Sequence, residues 1–136
     1  MSRRASREIA MKLLYQLDIQ RGNREEQIRS VLEENSVPEN EEKYIRKIVE
    51  GVFDNISLID SNIEKNMRGW KINRIPKVDL AILRLSCYEI LFMDEIPVNV
   101  SINEAINLAK TYSSEESGAY INAVLGKIVL LREQTN

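Results

Sequence analysis

The sequence predicts an all-α fold of about seven helices, and three observations carry that expectation. Apolar residues recur at three- and four-residue spacing along nearly the whole chain. Alternation of apolar and polar residues, the mark of a half-buried strand, is never sustained, and β-branched clusters are broken by charge. Ser101-Ile102-Asn103-Glu104 and Ser113-Ser114-Glu115-Glu116 both read as capping boxes, in which a serine accepts from the backbone N–H three residues on and the glutamate reaches back. At 136 residues, with 43% hydrophobic and 29% charged content, the chain matches one soluble domain able to bury a core without staples. Helices with short connections then pack as two sub-bundles or as one orthogonal bundle.

Each element follows from local chemistry. A first helix is expected from about Ser2 to Gln20, stopped by Gly22 and Asn23, with Ile9, Ala10, Leu13, Leu14 and Leu17 on one face. Met11, Tyr15 and Ile19 point the other way, beside Arg4 and Glu8. Either this helix is buried on two sides, or it shows an exposed aromatic next to arginines, a composition suited to partner or RNA contact. A second helix covers Arg24 to Glu34, with Ile28, Val31 and Leu32 inward, before the break at Asn35 to Asn40 around Pro38. The third spans about Glu41 to Phe53, where Gly51 costs about 1 kcal/mol relative to alanine and so signals close helix approach. The fourth runs from about Ile56 to Met67.

The block from Gly69 to Met93 is the most apolar. Pro76 suits the first turn of a helix, and the residues after it are apolar almost all round, so this helix should be central. Asp79 in its first turn favours the helix dipole. Arg84 and Glu89, five residues apart, do not face each other and each needs a partner on another element. A sixth helix is expected to start at the Ser101 box and end at Tyr112, and a seventh to run from the Ser113 box to about Leu131. On the seventh, Glu116, Tyr120, Ala123 and Lys127 share a stripe, either a packing edge with the Tyr120 hydroxyl in water or a partner surface.

Composition narrows function. With no histidine, Ser-His and Cys-His nucleophile pairs and imidazole zinc sites are excluded, and the five glycines form neither GxGxxG nor GxxxxGK[ST]. The single Cys87 can form no internal bridge and suits a reducing cytoplasm. There is no signal-like N-terminus and no apolar run long enough to span a bilayer, so a cytoplasmic protein is expected. The net charge of -2 is unevenly spread: residues 1 to 24 carry six bases against two acids, and residues 25 to 42 seven acids against one base. From residue 43 onward twelve bases balance twelve acids. A polyanion contact near the N-terminus follows.

Three blocks in order, RRASREIAMKLLY (3 to 15), IPKVDLAILRLSCYEI (75 to 90) and IPVNVSINEAINLAKTYSSEESGAYINAVLGKI (96 to 128), resemble the NusB family of bacterial transcription antitermination factors. The resemblance implies two packed three-helix sub-bundles, a single RNA-binding helical domain over residues 1 to 136, and no catalysis and no cofactor. It implies a heterodimer with NusE, a protein of the small ribosomal subunit, that binds boxA RNA of ribosomal RNA leader transcripts. Together with RNA polymerase and other Nus factors this complex prevents premature termination. Residue by residue, it implies RNA contact at Arg3, Arg4, Arg7, Glu116 and Tyr120, and NusE contact at Tyr15 and Asp79. It also implies that the free protein can form a homodimer through the surface NusE needs.

Two departures stand out. Ala119 occupies a position where the family usually has lysine, and Asn122-Ala123-Val124-Leu125-Gly126 replaces a common Asn-Gly-Val-Leu-Asp. Two other readings compete. A NusB-like domain also serves RNA recognition in a ribosomal RNA cytosine methyltransferase, for which a chain ending at Asn136 leaves no catalytic portion. A purely protein-binding adaptor is the other, and it predicts that Arg3, Arg4 and Arg7 are merely solvated.

Overall fold

A computed structural model describes residues 1–69 and 71–135, which form seven α-helices: α1 (Arg3–Ile19), α2 (Arg24–Glu34), α3 (Glu39–Asp54), α4 (Ile56–Glu64), α5 (Lys77–Phe92), α6 (Val98–Tyr112) and α7 (Glu115–Thr135). A single 3-10 turn, Ile72–Arg74, lies between α4 and α5, and no strand occurs among the described residues.

Except at α4, whose cap residue Asn55 makes no side-chain cap bond, helix starts are set by side-chain caps or by proline. Ser2 Oγ accepts from the Ala5 N–H at 3.0 Å to open α1, and Asn23 Oδ1 accepts from Glu26 N–H at 2.9 Å to open α2. Pro38, Pro76 and Pro97 stand just before α3, α5 and α6, where an extended residue with no N–H is tolerated. Proline explains two shifted boundaries. α3 begins at Glu39, two residues ahead of the expected Glu41, with Glu39, Glu41 and Glu42 in a first turn whose dipole favours them.

The Ser101 box does not cap α6, a correction to the sequence reading. The helix already starts at Val98, and the Pro97 carbonyl accepts from both Val100 and Ser101. Ser101 is therefore inside the helix, and its buried hydroxyl donates to Glu89 Oε1 at 2.7 Å. The second box caps through Ser114 rather than Ser113: Ser114 Oγ accepts from Ser117 N–H at 3.0 Å. α4 stops at Glu64, short of Met67, and α7 continues past Leu131 to Thr135.

α1 packs on α2 and α3, and α5, α6 and α7 pack on one another, giving the two three-helix groups; α4 braces α5 and α7. α5 also touches α1, α3 and α4, so it is the shared centre. Leu80, Ala81, Ile82, Leu83, Leu85, Cys87 and Ile90 are buried on all its sides, as the all-round apolar pattern requires. Burial pushes the Cys87 thiol up to about 12, so it is an inert core side chain. At Gly51, α3 and α5 come so close that a Cβ would overlap the Tyr88 ring.

The two charges inside α5 find partners on other helices. Arg84 grips Asp60 of α4 with two bonds of 2.9 and 2.8 Å and lies 3.4 Å from Asp18 of α1. Glu89, fully buried, accepts from Arg7 of α1 at 2.8 Å, from the Tyr44 hydroxyl of α3, and from Ser101 of α6. Four helices thus meet at one carboxylate whose oxygens are satisfied by donors, the condition under which a charge can be buried. Burial, followed by the Glu89 charge, pushes the Tyr44 phenol far above its usual range, so it stays a donor.

Candidate nucleic-acid interface

The expected contact residues fall into two regions. At the start of α1, Arg3 bonds Glu41 through Nε and Nη2 at 3.0 and 3.2 Å and stacks 4.1 Å above the Tyr44 ring centre. Arg4 makes the same two-pronged contact with Glu104 of α6, at 3.2 and 3.0 Å. Both guanidiniums remain open to solvent, 44% and 67% exposed. Each uses two of five N–H donors, so outward donors remain for phosphate oxygens. Both guanidiniums sit at the surface end of their ion pairs, so a phosphate can compete with the carboxylate for their donors.

Arg7 differs from its neighbours. It is 4% exposed and committed to Glu89, so it presents no surface to a ligand. The geometry assigns it to bracing α1 against α5: one turn on from Arg3 and Arg4 it shares their helix face, but where Arg3 leans to Glu41 of α3 and Arg4 to Glu104 of α6, Arg7 lies between them over α5 and is drawn in by Glu89. Charge counting along the sequence does not distinguish it from the other two.

The second region is an open pocket of about 420 Å³ between the starts of α5 and α7, lined by Ile75, Pro76, Asp79, Ser114, Glu116, Ser117 and Tyr120. Three expected residues from two separate blocks, Asp79, Glu116 and Tyr120, meet here. Asp79 is buried, and its Oδ2 accepts from Ser117 Oγ at 2.8 Å while Oδ1 has no hydrogen-bond partner among the described residues. It caps no backbone group, so the dipole is at most part of its role. The Tyr120 hydroxyl is closed to solvent and also without a partner among the described residues, which departs from the packing-edge reading with its hydroxyl in water. Burial first and then the Asp79 charge push the Tyr120 phenol above its ordinary value. Glu116 is exposed at the pocket rim.

Tyr15 is 38% exposed on α1, four residues before the more open Ile19, whereas Met11 on the same side is buried. The two-sided burial therefore covers only the first half of α1. Asp18, one turn from Tyr15, pairs with Lys77 at 3.3 Å, which sets this part of α1 beside the start of α5 that carries Asp79. Glu8 and Lys12 of α1 both engage Tyr112 at the end of α6.

Among the described residues no three His, Cys, Asp or Glu side chains gather to hold a metal ion, and no helix is long and apolar enough to cross a membrane. Solvent-open arginines paired with carboxylates in one region, and a pocket with unpartnered polar atoms in another, describe a helical protein with surfaces suited to binding. The NusB family profile matches residues 4–130, and the chain belongs to the NusB family. It is 58% identical to the transcription antitermination protein NusB of Acetivibrio thermocellus, over 97% of this chain and 91% of that one. It is 54% identical to the protein of the same name from Ruminiclostridium cellulolyticum, over 94% and 88%. These relatives carry the name of a transcription factor, not of an enzyme.

Solved structures agree. T. maritima NusB superimposes with a TM-score of 0.89 at 34% identity, covering 96% of this chain and 92% of that one. A crystal structure of antitermination factors NusB and NusE in complex with dsRNA matches with a TM-score of 0.87 at 29% identity, covering 95% and 96%.

Proposed function

We propose that this chain, acting as one RNA-binding domain over residues 1 to 136, binds boxA RNA of ribosomal RNA leader transcripts as a heterodimer with NusE. The observation that carries the reading is the full-length match to a NusB that was crystallised with NusE and dsRNA. Arg3 and Arg4 meet phosphates, exchanging Glu41 and Glu104 for them. Glu116 and Tyr120 line the RNA side of the pocket, and Tyr15 and Asp79 face NusE. Arg7 acts indirectly by holding the start of α1 in place.

In this role the protein works in the cytoplasm with RNA polymerase and other Nus factors during ribosomal RNA synthesis. A partner is physically reasonable, because two exposed arginines neutralise few phosphates and affinity rises with the number of cationic contacts. A homodimer through the Tyr15 and Asp79 face would compete with NusE.

Fluorescence anisotropy with labelled boxA RNA, with and without NusE, tests the reading. A NusE-dependent gain in affinity is expected, and its absence refutes the heterodimer. Sedimentation of the free protein against the NusE mixture reports whether a homodimer gives way.

A further inference from the structure

The segment connecting α4 to α5 carries a charge pattern that the balanced total after residue 43 conceals. Residues 65–77, KNMRGWKINRIPK, place a cation at every third position, Lys65, Arg68, Lys71, Arg74 and Lys77, and contain no acid. All five are exposed. Lys77 is held by Asp18, but the other four make no ion pair and no side-chain hydrogen bond among the described residues. This is the reverse of the N-terminal arginines, each of which has a carboxylate.

The backbone under these cations is fastened down. Ile72 N–H donates to Glu64 Oε2 at 2.9 Å, Arg74 N–H donates to the Lys71 carbonyl at 2.9 Å, and Asn66 Nδ2 donates to the Asn62 carbonyl at 2.7 Å. Met67 and Ile75 are buried and anchor the segment from inside. Lys71 and Arg74 bracket the 3-10 turn, Lys71 as its extended cap and Arg74 as its last residue. The α-carbons of neighbouring cations in this segment are at most about 10 Å apart, which concentrates positive charge on a short stretch of chain. Among the described residues no carboxylate forms an ion pair with Lys65, Arg68, Lys71 or Arg74.

We infer that Lys65, Arg68, Lys71 and Arg74 form a second phosphate-contacting surface, along which the backbone of an RNA strand runs past the pocket of Asp79, Glu116 and Tyr120. One observation favours RNA over an acidic protein. The segment ends in Ile75 and Pro76, which are walls of that pocket, so the cations continue the proposed RNA path. The ligand class rests on the RNA-binding reading above; the choice of residues does not.

The experiment compares the full-length chain with a variant carrying Lys65→Gln, Arg68→Gln, Lys71→Gln and Arg74→Gln. Anisotropy is measured on boxA RNA over a salt series, with NusE and without it. At about 0.7 per single-strand phosphate contact, the slope of log K against log salt becomes shallower by about 3, and low-salt affinity falls on the order of tenfold or more. The double variant Lys71→Gln/Arg74→Gln shows about half the slope change and guards against a folding artefact, as does an unchanged melting midpoint. Wild-type slope and affinity in both variants, with a loss in Arg3→Gln/Arg4→Gln, overturns this surface alone. Loss of NusE binding with unchanged RNA binding overturns it too, by making the segment a protein contact. If the wild-type chain binds no RNA, the underlying RNA reading fails and takes this one with it.

Discussion

Replacing Glu89 by leucine probes the carboxylate on which four helices converge. Glu89 is completely buried and Arg7 beside it is 4% exposed, so removing the carboxylate strands a guanidinium in the core. Breaking a buried pair from one side costs about 3 to 5 kcal/mol. The Tyr44 and Ser101 hydroxyls lose their acceptor in the same step. Against a total stability of about 5 to 15 kcal/mol, this is a large fraction. For a chain of this length the melting midpoint falls by roughly 10 to 25 °C. The double variant Arg7→Met/Glu89→Leu removes both charges and recovers most of the loss, because the costly species is the unpaired ion. Urea titration of the wild type, both single variants and the double variant measures the coupling. A Glu89→Leu variant within about 1 kcal/mol of wild type, or a double variant no better than the sum of the singles, would refute the account. The same double variant, once folded, should bind boxA RNA as wild type does, because Arg7 braces the helix and does not touch the ligand.

Gly51→Ala gains about 1 kcal/mol of helix propensity but drives a methyl group into the Tyr88 ring, an overpacking cost of about 1 to 3 kcal/mol, so urea melts should show a net loss. The hydrogen bond from Arg3 holds the Glu41 carboxyl below its ordinary range. A depressed folded value stabilises at pH above the unfolded value and is lost as pH falls through the folded one. Glu41→Gln should therefore melt earlier than wild type at neutral pH, by no more than about 1 kcal/mol given how exposed Arg3 is, and the gap should close as the solution is taken below about pH 4. Tyr120→Phe deletes a buried hydroxyl without a partner and should leave the free protein as stable or more stable by up to about 1 kcal/mol, with calorimetry as the readout. A clear loss of stability would mean that the hydroxyl has a partner in the folded chain.

Some of the fold was legible because it depends on local chemistry. Apolar spacing located all seven helices, and the all-round apolar pattern after Pro76 marked α5 as the centre. The Gly51 signal was also local, since a glycine inside a helix needs a reason, and Tyr88 supplies it. The failures occur where two local signals compete. Pro97 set the start of α6 ahead of the Ser101 box, and tertiary packing then gave the Ser101 hydroxyl to Glu89. The basic segment at 65–77 was present in the sequence but hidden in a sum taken over too long a window.

The sequence by itself determined the helical class, the central helix, the absence of histidine chemistry and the blocks that mark the NusB family. These follow from periodicity, composition and residue order, which need no knowledge of what lies across the core. Only the tertiary structure decided which charges face outward. Arg3, Arg4 and Arg7 look alike as a run of cations, yet Glu41 and Glu104 hold two at the surface while Glu89, 82 residues away in the chain, draws the third inside. The same packing brought Asp79 to Glu116 and Tyr120 and left Lys65, Arg68, Lys71 and Arg74 without acids. Whether a charge is paired is set by neighbours distant in sequence, and only folding chooses them.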